Sequence, residues 1–218
     1  MKLNDFFEAV FCISLELGPE AQHPERLQAA KQEFEKHGIA VEFVAGIDGR
    51  ILDIPEPPSR DGDSVVRKAD MGCTLSHLKV VKMAKERGLQ NYCVFEDDVI
   101  LANNFQEQFA RNIAQLPPYR LIYLGGDNHE PVHLHLPLRP NIVGTTKTLT
   151  THAFGADISA YDELIRVLSQ HEKVDLNISE IHKDGRCYIM HPVIAGQRPG
   201  WSYILGKQVQ NEHSFFKV

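Results

Sequence analysis

Tyr92-Cys93-Val94-Phe95 runs straight into Glu96-Asp97-Asp98, and this junction constrains the chain more than any other stretch. An unbroken apolar run of this length suits a strand covered on both faces, as in a parallel sheet between helices. Three adjoining carboxylates repel one another and resist burial unless a positive group meets them. The triplet therefore marks the strand's carboxyl end. Two compensations are open there: a divalent cation, or the dipole of the helix that begins near Asn103. The five-residue gap from Asp98 to Asn103 favours the cation.

The surrounding pattern is that of an α/β domain. Ala9–Leu15 predicts a first strand, and the spacing of Leu27, Ala30 and Phe34 predicts a helix from Pro24 to His37, stopped by Gly38. A second strand is expected over Ile39–Val44. Ile54–Ser64, rich in proline and aspartate, predicts a long and mobile loop. Further helices are expected over about 70–87, from Asn103 or Asn104 to Gln115, from Ser159 to about Gln170, and from Asp175 to Lys183. Strands are expected over Tyr119–Leu124, near 141–143, over 150–157 and over 186–190. Strands alternate with helices through the first 125 residues, which implies a mostly parallel sheet with helices on both faces. Ligands of such sheets bind at the carboxyl ends of the strands, where both Glu96-Asp97-Asp98 and Gly125-Gly126-Asp127 fall. The 218 residues suit one domain over 1–218, with 192–218 as a tail packed on the body.

Composition narrows the partners. A net charge of −6 gives no basis for binding a nucleic-acid backbone, and an acidic site must recruit a cation before it holds a phosphate. The four cysteines form no C-x-x-C pair, and Cys12, Cys93 and Cys187 sit in strand-like runs, so a reducing compartment is expected. Neither a signal peptide nor an 18-residue apolar span is evident. The expectation is a cytoplasmic protein, with attachment to the membrane's cytoplasmic face left open and the oligomeric state undetermined.

Alternation along a strand places Glu96 and Asp98 on one face and Asp97 on the other. An acid-x-acid pair of this kind can share Mg²⁺ or Mn²⁺, whose remaining positions are filled by phosphates and water. His191, at the end of the last strand, is a candidate third ligand. Gly72-Cys73-Thr74-Leu75-Ser76-His77 can present backbone amides and polar side chains to a nucleotide at a helix start, or can simply pack. His129, His133 and His135 read as a solvated loop rather than a zinc site. Asp175 is either a helix cap or a catalytic base. Trp201 and Tyr203 either stack on a sugar or base, or close the core.

Taken together, Ile13-Ser14-Leu15, Arg26, Ile47-Asp48-Gly49, Gly72-Cys73, Leu75-Ser76-His77, Val94-Phe95-Glu96-Asp97-Asp98, Ile122-Tyr123-Leu124-Gly125, Val174-Asp175, Pro192 and Gln197 resemble glycosyltransferase family 25. This is the group of lipopolysaccharide glycosyltransferases related to the collagen galactosyltransferases. The resemblance spans about 9–204, and the Gly-Cys-x-x-Ser-His block ahead of Glu-Asp-Asp is its specific part. It implies a GT-A-like fold, a UDP-galactose or UDP-glucose donor, a glycan acceptor and a Mn²⁺-type metal. It makes Asp98 the direct metal ligand and Glu96 a ribose or secondary contact. It also sets Ser14, Leu15, Arg26, Asp48, Gly72, Ser76, His77 and Asp97 around the donor, and makes Asp175 the acceptor contact or base of an inverting transfer. Ser14 stands where the family usually has Asn, and the family's Asp before Ile-Tyr-Leu-Gly is replaced near Arg120. A two-metal phosphohydrolase would show more ligands at several strand ends. A member that binds without turnover is the other alternative.

Overall fold

A computed structural model describes residues 1–19, 21–62, 65–128, 131–132 and 140–210. In chain order the strands are β1 (Ala9–Ser14), β2 (Glu42–Ala45), β3 (Asn91–Glu96), β4 (Val99–Leu101), β5 (Leu121–Tyr123), β6 (Asp127–Asn128), β7 (Pro131–Val132), β8 (Ile142–Thr145), β9 (Thr148–Leu149), β10 (Ala153–Asp157), β11 (Cys187–Met190), β12 (Ala195–Gln197), β13 (Gly200–Ser202) and β14 (Lys207–Val209). The helices are α1 (Leu3–Phe6), α2 (Pro24–Lys36), α3 (Lys68–Glu86), α4 (Phe105–Ile113), α5 (Tyr161–Leu168) and α6 (Val174–Ser179).

Eight strands form the central sheet in the order β2-β1-β3-β10-β5-β11-β8-β7. Six of them, β2, β1, β3, β5, β11 and β7, share one direction, as the α/β expectation requires; β10 and β8 oppose them. β10 enters from far along the chain and separates β3 from β5, so the two strands that look adjacent in sequence are not neighbours.

Period-two alternation sorts the strand residues into two cores. Val10, Cys12, Cys93, Phe95, Ile122 and Leu124 face α2 and α4, where Phe34, Phe105 and Phe109 are fully buried. Phe11, Ile13, Tyr92, Val94, Leu121 and Tyr123 face α3, α5 and α6, packing on Val81, Tyr161, Leu164 and Ile178. Each large side chain so buried stabilises the fold by about 1.5–3 kcal/mol. Both faces of the sheet are thus closed, and polar ligands are left the strand ends.

Local signals explain the helix bounds. α2 opens on Pro24 at its first turn and ends ahead of Gly38. α3 opens where Asp70 Oδ2 accepts the Arg67 N–H at 2.9 Å. The first turns of α3 lie against a 3₁₀ turn at Gly49–Ile51, and this contact exists because both partners are glycine. A Cβ on Gly49 would stand 1.7 Å from the Lys68 carbonyl oxygen, and one on Gly72 would stand 2.4 Å from the Gly49 nitrogen. Gly49→Ala should therefore lower stability by about 2–4 kcal/mol, read as a lower urea midpoint with an unchanged slope.

The loop before α3 departs from expectation. Rather than swinging free, its described part is pinned by one buried acid. Glu172 accepts from Ser59 Oγ at 2.8 Å and from the Arg60 backbone N–H at 2.6 Å. Glu172 belongs to a turn more than a hundred residues away, which is why local composition conceals the anchor. The tail is also more ordered than predicted: β12 pairs with β4, and β13 with β14 forms a hairpin. His129, His133 and His135 lie outside the described residues.

Candidate active site

β1 and β3 are parallel neighbours with Ile13 opposite Glu96, so Ser14 arrives beside Asp97 at the carboxyl edge of the sheet. Ser14 Oγ donates to Asp97 Oδ2 at 2.6 Å and accepts the Glu16 N–H at 3.1 Å. Arg26 reaches the same point from the first turn of α2. Its Nε and Nη2 donate to Asp97 Oδ1 at 2.9 and 2.5 Å, and Nη2 lies 3.4 Å from Asp98 Oδ2. Its Nη1 donates to the Trp201 carbonyl.

The expected alternation of the three acids does not survive. β3 ends at Glu96, and Asp97-Asp98 form the turn into β4. The turn brings Asp97 and Asp98 together at Arg26 and leaves Glu96 alone on the α3 side. There Glu96 Oε1 meets His77 Nε2 at 3.2 Å and accepts from Thr151 Oγ1 at 2.9 Å.

The three carboxyls are correspondingly unequal. Burial pushes the Asp98 carboxyl up to about 7; Arg26 opposes this, and the charges of Glu96 and Asp97 add to it. Asp98 Oδ1 is buried without a hydrogen-bond partner among the described residues, while Oδ2 accepts a long bond from Gln197 Nε2 at 3.4 Å. Burial also raises Asp97, against Arg26 and Ser14. Glu96 moves the other way: burial opposes, yet the His77 and Thr151 bonds together hold it below the usual carboxylate range. For Arg26, burial is outweighed by Asp97 and Asp98, and the guanidinium is held above its ordinary value.

These groups border an open cleft of about 760 Å³. Of the residues predicted for the donor and metal, Leu15, Arg26, Asp48, Ser76, His77, Glu96, Asp97 and Asp98 line it. Ser14 stands behind Asp97. Gly72 supports the wall from below through its Gly49 contact, and Ser76 ties the same wall by donating to the Gly72 carbonyl at 2.7 Å and accepting the Ile47 N–H at 2.8 Å. Asp175 is not among the lining residues. It is half-buried on α6, and its charge acts on Cys73 and Asp70 at the start of α3. His191 is displaced further. It is exposed beyond β11, three strands from β3, with its backbone bonded to Asn141. It is not brought together with Glu96 or Asp98, because β10 and β5 intervene.

Arg50 and Thr151 are among the lining or supporting residues that escaped prediction. Arg50 forms a forked pair with Asp48, at 2.9 and 2.6 Å, and lies 4.7 Å over the Tyr203 ring. Its place two residues after Asp48 in a turn was the available signal. Thr151 carries no local signal, since β10 brings it to Glu96 from fifty-five residues away.

The family model described as "Glycosyltransferase family 25 (LPS biosynthesis protein)" matches residues 7–139, which include the whole acid cluster and the Ser76-His77 block. The chain belongs to glycosyltransferase family 25. Among its relatives, the probable inactive glycosyltransferase 25 family member 3 of Bos taurus is 33% identical over 140 residues, covering 57% of this chain and 23% of that protein. The inactive glycosyltransferase 25 family member 3 of Homo sapiens is 31% identical over the same length, with the same coverage. This family 25 chain thus matches about a quarter of the length of those relatives. A solved glycosyltransferase involved in glycosylation of the major capsid of PBCV-1 is similar at 9% identity, with a TM-score of 0.45 over 83% of this chain and 80% of that one.

The two departures from the family pattern have different weight. Ser14 takes part in the acid cluster directly through Asp97. Arg120 precedes β5, at the opposite edge of the sheet from the cleft, and pairs with Asp184 at 2.9 Å and Glu163 at 2.8 Å. Its role is to close that edge.

Proposed function

We propose that this family 25 chain is a cation-dependent transferase. It moves a hexose, galactose or glucose, from a UDP-sugar to a hydroxyl of a glycan such as lipopolysaccharide, with inversion. Asp98 carries this reading. A buried carboxylate oxygen without a partner among the described residues, on a side chain that lines the cleft at the carboxyl end of a central strand, is suited to a hard cation. Asp98 would hold Mn²⁺ or Mg²⁺, with Glu96 on the adjoining wall. Such a cation, when bound, neutralises charge that develops on the UDP leaving group.

The remaining contributions come from the chain itself. Arg26 and Arg50 face the cleft from two walls, each oriented by carboxylates, in position to meet phosphate oxygens. Ser202, Tyr203 and Ile204 of the hairpin border the cleft and shield it from water, which limits hydrolysis of the donor. Asp175 is assigned the acceptor proton from the family likeness alone.

A second reading is binding without turnover. It draws on Arg26, which already pairs with both Asp97 and Asp98, and on the relatives whose names call them inactive. Incubation with a panel of UDP-sugars, with and without Mn²⁺, separates the two. Metal-dependent UDP release from one donor, absent in Asp98→Asn, is the expected result. Donor binding without release under every condition establishes the second reading instead. Phosphate release from simple esters would overturn both.

A further inference from the structure

Cys73, His77 and Glu96 form a second cluster in the cleft, distinct in chemistry from Asp98. Cys73 and His77 are four residues apart on α3, so both project onto one helix face. Glu96 meets them from the end of β3. One ligand atom from each lies within 4.8 Å of the other two. The His77 Nε2 to Glu96 Oε1 separation is 3.2 Å. Bonds of about 2.0–2.1 Å from nitrogen and oxygen to one tetrahedral ion set their ligands about 3.3 Å apart. That edge is already formed. A metal–sulfur bond of about 2.3 Å sets the sulfur about 3.6 Å from the other two ligands, and Cys73 Sγ already lies within 4.8 Å of both.

The surroundings hold the ligands. The His77 ring is 2% exposed and stacks on Phe154 at 5.6 Å, and its Nδ1 has no hydrogen-bond partner among the described residues. Thr151 Oγ1 orients Glu96 from behind, as outer partners orient carboxylate ligands in metal sites. Cys73 lines the cleft, whereas Cys12, Cys93 and Cys187 are buried in the core. Three ligands on one side and open space on the other leave a fourth position for water or a ligand.

We propose that Cys73, His77 and Glu96 form a binding site for a thiophilic divalent cation of the zinc class, separate from the hard-cation site at Asp98. A sulfur, an imidazole and a single carboxylate select zinc or cobalt over magnesium. On binding, the Cys73 S–H bond breaks, its proton passes to solvent, and the sulfur lone pair bonds the metal. The proton that His77 Nε2 shares with Glu96 passes to solvent or moves to Nδ1, and the freed Nε2 lone pair bonds the metal. Glu96 exchanges its contact with His77 for one to the ion. The metal's oxidation state does not change. Because the cleft is the one assigned above to the donor, zinc occupancy excludes the sugar nucleotide; this consequence alone rests on that assignment.

Cobalt(II) titration of the full chain tests the site. The expected result is one bound equivalent with a sulfur-to-cobalt charge-transfer band and intense tetrahedral d–d bands, unaffected by excess Mg²⁺. Zinc should displace the cobalt and protect Cys73 from alkylation, read by mass spectrometry on the unaltered chain. Cys73→Ser should remove the charge-transfer band and weaken binding at least about tenfold, the scale on which loss of a supporting contact acts in metal sites. Asp98→Asn should leave the band in place even where it ends UDP release, so failure of the transferase reading and failure of this one are distinguishable. A weak octahedral spectrum without the charge-transfer band, a band that persists in Cys73→Ser, or alkylation of Cys73 undiminished by zinc would each overturn the proposal.

Discussion

Asp98→Asn should lower cation-dependent UDP release by about 10²–10³-fold, the scale seen when one group that stabilises transition-state charge is removed. The same substitution should raise the stability of the cation-free chain by about 1–3 kcal/mol, since a buried, poorly compensated charge is replaced by a neutral group of equal size. The two effects share one cause, the burial of Asp98 with Oδ1 unpartnered among the described residues. The sign with pH follows from the raised carboxyl, about 7 in the fold against its ordinary 3.8. Below pH 4 both folded and unfolded chains carry the proton, and Asp98 costs nothing. Between about pH 4 and 7 the folded chain retains a proton that the unfolded chain has lost, so stability falls as pH rises. Above 7 the full penalty is present. Thermal melts across pH 4–8 should therefore show the variant's advantage growing up to pH 7 and level beyond it. An advantage that does not depend on pH would contradict this account. Asp97→Ala should act differently: it strips Ser14 and Arg26 of their partner and lowers stability whether or not activity is measured.

Arg26→Ala should destabilise the fold by about 3–5 kcal/mol, the cost of leaving buried carboxylates without their cation. Arg26 joins α2, the acid turn and the hairpin, through Asp97, Asp98 and the Trp201 carbonyl. Its loss should also loosen residues 200–209. Tyr203 to Glu16 and the His23–Trp201 stack remain as weaker ties. Hydrogen exchange should accelerate in the hairpin well beyond the change in the sheet. Equal acceleration everywhere would mean that Arg26 contributes to global stability alone and does not strap the hairpin. Arg26→Lys should recover only part of the loss, since one ammonium cannot reproduce the fork that meets Asp97 twice.

Much of this arrangement was legible from local chemistry. The Tyr92–Phe95 run is buried as its composition required, Pro24 and Gly38 bound α2, and the small residues of Gly72–Ser76 seat one element against another. The acid triplet stands at a strand end because no apolar core accepts three carboxylates. Hydrophobic period and turn residues act over a few positions, so a single chain displays them directly.

Only the tertiary structure decided how the acids divide their work. A turn at Asp97-Asp98 replaced the alternation expected of a strand, pairing both with Arg26 and giving Glu96 to His77. β10, inserted between β3 and β5, delivered Thr151 to Glu96 and carried His191 away from the cleft. Glu172 pinned a loop whose composition predicted mobility. In each case the deciding contact joins residues far apart in the chain. The sequence by itself determined which segments are strands and helices and where charge must surface, because those follow from local sterics and burial. The tertiary structure decided which charges meet, because that depends on strand order, and strand order leaves no local trace.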